Sequence, residues 1–251
     1  MSQLIDNLNI IESVKTDIKT AIENKGVDMT GVSFPGYASK IGEISVGGGW
    51  VQKSLTEGTY DITNLDNSAS FVASSAFMHI SNIQTVNLPY ATTVGASAFY
   101  RCYSLNQVNL PVCSYIEDNA FYNCRLLNQV NLPVCSYIGN SVFFNCFLLS
   151  QMSLPLCGYI GSDAFRTCSL LSLSLPVCSY IGGFAFYGCS SLSIITIGYS
   201  GICSLGDART FETTQITSST GSIYVPASLV DAYKSANYWS YFSTQIFPIS
   251  V

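Results

Sequence analysis

Charge is scarce in this sequence. Asp, Glu, Lys and Arg make up 10% of its 251 residues, against roughly 25% in an ordinary globular domain. The surface must then be covered by neutral polar groups, and Ser, Asn, Thr and Tyr fill that role. The ten Lys and Arg residues form no cluster, which excludes the positive groove that nucleic-acid binding requires. Histidine is nearly missing. A single imidazole, His79, reads as a satisfied packing or surface residue and not as a catalyst. No run reaches the ~18 consecutive apolar residues of a membrane span, so no membrane insertion is expected. Phosphate-binding loops, G-x-S-x-G elbows and H-E-x-x-H pairs are also lacking. The carboxylates Glu117, Asp118 and Asp163 share no common place in successive units, so no carboxylate dyad is implied. Asp207 and Arg209 are close enough to pair but have no third partner. No cofactor, metal or enzymatic activity is expected. The opening stretch MSQLIDNLNIIESVKTDIK carries scattered charge and no apolar core, so it does not read as a secretory signal. The expectation is a chain that stays inside a cell, leaves by a route without a cleaved signal, or has had such a signal removed.

What is present is repetition. Leu-Pro recurs at Leu88-Pro89, Leu110-Pro111, Leu132-Pro133, Leu154-Pro155 and Leu175-Pro176, in steps of 22, 22, 22 and 21. Phenylalanine keeps the same register at Phe77, Phe99, Phe121, Phe143, Phe165 and Phe186. One residue is missing between Cys168 and Leu175, and every later marker shifts with it. A fixed period in the twenties means stacked units, none of which can bury its apolar side alone. One unit reads Leu105-x-x-Val108-x-Leu110-Pro111, then Ile116, then Ala120-Phe121-x-x-Cys124. Val108 and Leu110 alternate with Gln107 and Asn109, which is strand periodicity. Pro111 lacks an N–H and ends that strand. Ile116 sits in a second short extended piece. Ala120-Phe121 opens a compact turn, expected to be one turn of α- or 3₁₀-helix. Each rung buries about six apolar side chains, at ~1.5–3 kcal/mol apiece.

This unit resembles the BspA-like leucine-rich repeat family, whose repeats read approximately L-x-x-V-x-L-P-x-x-x-x-I-x-x-x-A-F-x-x-C. The match covers roughly residues 70–205. The tail, residues 221–249, is similar to that family's C-terminal cap, with Pro226 and Ser228 suited to the entrance of a short helix over 229–236. The resemblance implies an α+β solenoid: a right-handed leucine-rich-repeat stack of about six rungs of ~21–22 residues, with short strands and helical turns. It also implies attachment as a function, because family members are mostly bacterial surface or secreted proteins. The organisation expected is a helical attachment segment at 1–46, a glycine linker and N-terminal cap at 47–68, repeats at 69–205 and a C-terminal cap at 206–251.

Cysteine follows the repeat. One column is Cys102, Cys124, Cys146, Cys168 and Cys189; a second is Cys113, Cys135, Cys157 and Cys178; Cys203 stands outside both. Metal binding would need converging ligands at short spacing such as C-x₂-C, which is missing. Disulfides within a column are nearly in reach, since stacked strands lie ~4.8 Å apart. Parallel Cβ vectors leave the Cβ atoms slightly beyond the usual ~3.5–4.5 Å, however. The favoured reading is a small buried thiol in a tight corner.

Three outward ladders remain as places where a partner can bind. Gln107, Gln129 and Gln151 form one, and Asn109, Asn131, Ser153 and Ser174 form another. Tyr115, Tyr137, Tyr159 and Tyr180 form a strip of rings, each just before an inward Ile. Such a strip offers rigid contact area for a glycan or protein. It can equally be a ladder that only stabilises the rungs.

The front of the chain is different. Leu4, Leu8, Ile11, Ile18 and Ile22 fit a heptad seam with Lys15 at the gap, over about three heptads. Ile-rich seams lean toward trimers. A helix packed on its own neighbour explains the pattern as well. Gly26 ends the helix, and residues 18–44 resemble a short segment at the front of phage tail and fibre proteins. Gly47-Gly48-Gly49 is a flexible break, and Trp50 to Asp66 reads as a strand pair shielding the first rung. The leading expectation is a phage virion structural protein, fibre or tail-associated. It would contact other virion proteins through residues 1–46, form a homotrimer, and present the repeats to a host-surface protein or glycan. The alternative is a bacterial BspA-like cell-surface adhesin.

Overall fold

The computed structural model describes residues 60–61, 70–81 and 83–250. The helix expected near the N-terminus, with Leu4, Leu8, Ile11, Ile18 and Ile22, lies outside the described residues. Of the strand pair expected between Trp50 and Asp66, only the short strand Tyr60–Asp61 is described.

Most repeats contribute two short strands, joined in the central rungs at the proline. The first strands are β1 (Tyr60–Asp61), β3 (Ile83–Asn87), β5 (Gln107–Asn109) and β7 (Gln129–Asn131). They pair in parallel in that order, and Val108 stands opposite Val130 across a step of one repeat. The second strands are β2 (Phe71–Val72), β4 (Thr93–Val94), β6 (Tyr115–Ile116), β8 (Tyr137–Ile138), β9 (Tyr159–Ile160), β11 (Tyr180–Ile181) and β13 (Ser204–Leu205). These form one parallel sheet of seven, here called the back sheet. Like residue sits on like residue in its central rungs: Tyr115 on Tyr137, Ile116 on Ile138.

The front sheet is broken. A second group, β10 (Ser172–Leu175), β12 (Ile194–Ile197), β14 (Ser222–Val225) and β15 (Ile246–Pro248), forms its own parallel sheet. Between β7 and β10 the segment Gln151-Met152-Ser153 carries no strand. The rung that follows is the one shortened by a residue, so its first strand starts out of step with the 22-residue register below it.

The corner after Ile116 is not the helical turn that the Ala-Phe pattern suggests. It is a chain of tight turns with two left-handed residues per rung, four positions apart. Asn119 and Asn123 are followed one rung later by Ser141 and Asn145, then by Asp163 and Thr167, all with φ between 54° and 61°. Left-handed backbone breaks helix propagation and suits small polar side chains. The amide groups then alternate in their use. Those of Asn119, Phe121 and Asn123 donate to carbonyls of the next rung, whereas those of Ala120, Tyr122 and Cys124 donate three residues back within their own. Every second donor therefore joins rung to rung, which a helical turn cannot do.

The interior is a file of identical layers. Phe77, Phe99, Phe121, Phe143, Phe165 and Phe186 stack face to face with centroids 5.1–5.5 Å apart. Phe211 adds a seventh ring, 5.6 Å from Phe186 and parallel to it. All ten cysteines are buried and free. In the first column each thiol donates to the carbonyl of the preceding rung's phenylalanine, as Cys124 Sγ does to Phe99 O at 3.2 Å and Cys146 Sγ to Phe121 O at 3.3 Å. In the second column each donates within its own rung, as Cys135 Sγ does to Tyr137 O at 3.4 Å. Cys203 does not stand apart. It faces Cys178 and extends the second column by one layer, with the Cys203 thiol pulling its neighbour's pKa down while its own goes up.

The C-terminal segment closes the stack. A 3₁₀ turn over Ala227–Leu229 leads into the helix Val230–Ser235, within two residues of the expected bounds. Trp239 is fully buried and its Nε1 donates to Cys203 O at 2.6 Å. The Tyr233 hydroxyl accepts from Cys203 N at 2.8 Å and donates to Gly201 O at 3.2 Å. No helix among the described residues is long and apolar enough to cross a membrane.

Candidate binding surface

The residues expected to meet a partner divide between the two faces of the stack. Gln107, Gln129, Gln151, Asn109 and Asn131 come together on the front; the four tyrosines line the back sheet.

On the front, alternation along β5 and β7 turns the amide side chains outward while Val108 faces the core. They line one groove of about 440 Å³, with Asn128 completing its rim. Its asparagines are held in line. Asn109 Nδ2 donates to Asn87 Oδ1 at 2.7 Å, and Asn131 Nδ2 donates to Asn109 Oδ1 at 2.7 Å. The next member, Ser153, is too short to continue this chain of amides, and the ladder stops where the sheet stops. At that break the N–H groups of Gln151, Met152 and Ser153 have no hydrogen-bond acceptor among the described residues. Val130 and Met152 are half-buried, unlike Val108. The groove thus joins exposed amide side chains to backbone donors that the sheet leaves open. Sequence reasoning found the side chains from their alternation. It missed Asn128 and the break, which was signalled only by the single missing residue.

On the back, Tyr115, Tyr137, Tyr159 and Tyr180 stack on one another with centroids 4.2, 4.7 and 4.9 Å apart. Their ring faces are therefore occupied, and a sugar or ring can stack only at the two ends of the file. Tyr115, at the lower end, is 39% exposed. Burial first, then the hydrogen bond with Tyr115, pushes the Tyr137 hydroxyl up to about 12, so it stays neutral. Beside Tyr115 and Tyr137 a smaller groove of about 280 Å³ is lined by Ala96, Glu117 and Asp118. Both carboxylates are engaged. Glu117 Oε2 accepts from Ala96 N at 2.8 Å, and Asp118 Oδ1 accepts from Asn140 N at 2.7 Å. They tie neighbouring rungs together.

Other polar groups singled out from the sequence have structural partners. Asp207 caps the 3₁₀ turn Ala208–Phe211 and pairs with Arg209, Nε to Oδ1 at 3.1 Å. His79 sits edge-on to Tyr100 at 5.5 Å. Among the described residues no three His, Cys, Asp or Glu groups converge as a metal site would require.

A family model described as BspA type leucine rich repeat region, in six copies, matches residues 57–158 and 158–241. The chain belongs to the BspA-type leucine-rich repeat family. One solved structure agrees at the level of the fold, and two others show weaker similarity. A leucine-rich repeat protein from Bacteroides ovatus is 25% identical, with a TM-score of 0.58 over 73% of this chain and 46% of its own. A T. pallidum leucine rich repeat protein is 29% identical over 54% of this chain and 68% of its own, at a TM-score of 0.49. A leucine rich cell surface protein from Faecalibacterium prausnitzii is 23% identical over 57% of this chain and 48% of its own, at 0.44. The chain thus spans under half the length of two of these three proteins. No curated protein matches it.

Proposed function

We propose that this BspA-type chain is a non-enzymatic attachment protein of the bacterial-surface kind, and that it holds a host-surface protein or glycan in the amide-lined groove of its front sheet. The observation that carries the reading is the convergence of Gln107, Gln129, Gln151, Asn109 and Asn131 where the sheet is interrupted. Amides offer both donors and acceptors, and a groove of this size accommodates a short peptide or one or two sugar rings. The asparagine ladder fixes part of the site in advance, which lowers the ordering cost on binding. The test is attachment of beads carrying the full chain to cultured host cells, compared with a Gln129→Ala/Gln151→Ala variant. Attachment should fall at least tenfold with no change in the unfolding midpoint. Equal attachment by the variant removes the groove; no attachment by the parent removes the adhesive function.

The second reading is a phage virion protein, trimeric through Leu4, Leu8, Ile11, Ile18 and Ile22 and joined to other virion proteins through residues 1–46. What favours it is the heptad seam and the similarity of residues 18–44 to phage tail segments. Light scattering on the full chain and on a chain lacking residues 1–45 tests it. A trimer that becomes a monomer supports it, and a monomer in both cases overturns it.

A further inference from the structure

Away from both faces, the 3₁₀ turns Ala208–Phe211 and Trp239–Gln245 enclose a cleft of about 400 Å³ in the C-terminal cap. Three features of it point outward to a ligand. Tyr241 is 73% exposed, the highest value among the large apolar and aromatic side chains described. Its ring stacks on no other aromatic and its hydroxyl has no partner among the described residues. Gln245 is the reverse, only 8% exposed. Its Nε2 donates to Ser219 Oγ at 3.3 Å, which leaves its amide oxygen open to the cleft. The floor is Phe242, buried and edge-on to Phe211 at 5.4 Å. The cleft is thereby fastened to the top of the phenylalanine file and held rigid, as a binding site must be.

The charges select against an anion. Arg209 is the cleft's cation, and it already meets Asp207 through two bonds, Nε–Oδ1 at 3.1 Å and Nη2–Oδ2 at 3.2 Å, with its guanidinium 4.2 Å over the Phe184 ring. Glu212 is the lining's anion. With Arg209 neutralised by Asp207, Glu212 leaves the cleft with one negative charge, which repels an anion. What remains is one free aromatic face, an apolar floor and a rim of neutral donors and acceptors from Gln245, Ser219 and Thr217. A pyranose ring has the matching surface, a face of C–H groups that lies on an aromatic ring and an edge of hydroxyls that both donate and accept.

We propose that this cleft binds one sugar residue of a neutral glycan, with Tyr241 as the stacking platform and the Gln245 amide oxygen, open to the cleft, as the acceptor. The site is separate from the front groove and stands whether or not that groove binds. The experiment is saturation-transfer NMR on the full chain with millimolar methyl glycosides of glucose, galactose, mannose and N-acetylglucosamine. At least one should receive saturation from the parent protein. Tyr241→Ala should weaken that binding at least tenfold with an unchanged unfolding midpoint, while Gln129→Ala/Gln151→Ala should leave it intact. Inorganic phosphate should not compete. The proposal is overturned if none of the four binds the parent, if Tyr241→Ala binds as well as the parent, if the groove variant abolishes binding, or if phosphate displaces the sugar.

Discussion

The buried thiols make this protein sensitive to alkali, and the size of the effect follows from the structure. Nine of the ten cysteines have pKa values raised above their ordinary 9.0, burial being the first cause in all but Cys203, where the Cys178 contact leads. Cys113 is pushed up to about 11 and Cys102, Cys135 and Cys189 to about 12. A raised folded-state pKa contributes stability that is complete below the unfolded value and is lost as pH rises toward the folded one. The opposite shifts of Cys178 and Cys203 offset each other, and at pH 9, with half of each unfolded thiol ionised, the other eight together favour unfolding by roughly 3 kcal/mol. At pH 10 the same eight sum to roughly 11 kcal/mol, with the folded thiols still largely protonated. Domain stabilities run from about 5 to 15 kcal/mol, so cooperative unfolding should fall between about pH 9 and 10.5. Tyrosine contributes later, since Tyr137 and Tyr233 are held up to about 12 by burial. Circular dichroism against pH, in the presence of a reductant, measures the transition. Replacing Cys124, Cys146 and Cys168 by Ala should make the transition shallower and raise its midpoint relative to stability at neutral pH. A parent that keeps its cooperative structure beyond pH 11, or a triple variant with an identical pH dependence, refutes the reasoning.

Three further outcomes rest on separate parts of the stack. Phe143→Ala removes a fully buried ring stacked on both sides, at 5.4 Å from Phe121 and 5.3 Å from Phe165. Urea unfolding should show a loss of about 3–5 kcal/mol, and a loss under ~1.5 kcal/mol, the value of one stacked pair, argues against a cooperative file. Gly161→Ala places a Cβ 2.5 Å from the Gly139 backbone, in the rung below. Overpacking of that kind costs about 1–3 kcal/mol, visible as a lower melting temperature, whereas Gly158→Ala, with its nearest atom at 3.9 Å, should melt like the parent. Tyr233→Phe deletes both hydroxyl bonds to the loop at Gly201 and Cys203. The expected loss is about 1–3 kcal/mol, with hydrogen exchange rising first at the Cys203 amide; unchanged exchange there refutes the assigned bond.

Most of the interior was legible in the sequence because a stacked repeat writes the same residue at the same place in every layer. Phe121, Ile116 and Cys124 needed no structural information, since their columns keep a 22-residue step. The misses all lie where that step changes. Phe211 follows Phe186 by 25 residues and Cys203 follows Cys178 by 25, so neither appears in a fixed-period reading, although each continues its column in space. The corner was misread for a different reason. Ala-Phe has helical propensity, but two left-handed residues per rung are dictated by the demand that alternate amides reach the next layer, and that demand is tertiary. The outward ladders were found but not ranked. Alternation tells which side chain points out, not whether its neighbours already occupy its faces. The tyrosines stack on one another, at most 4.9 Å apart, and close their own surface. The glutamines reach no such partner and stay open, above a break caused by one missing residue. Regular layers bury what they repeat, and both surfaces proposed for binding lie where regularity fails, one at the broken front sheet and one in the cap that ends the stack.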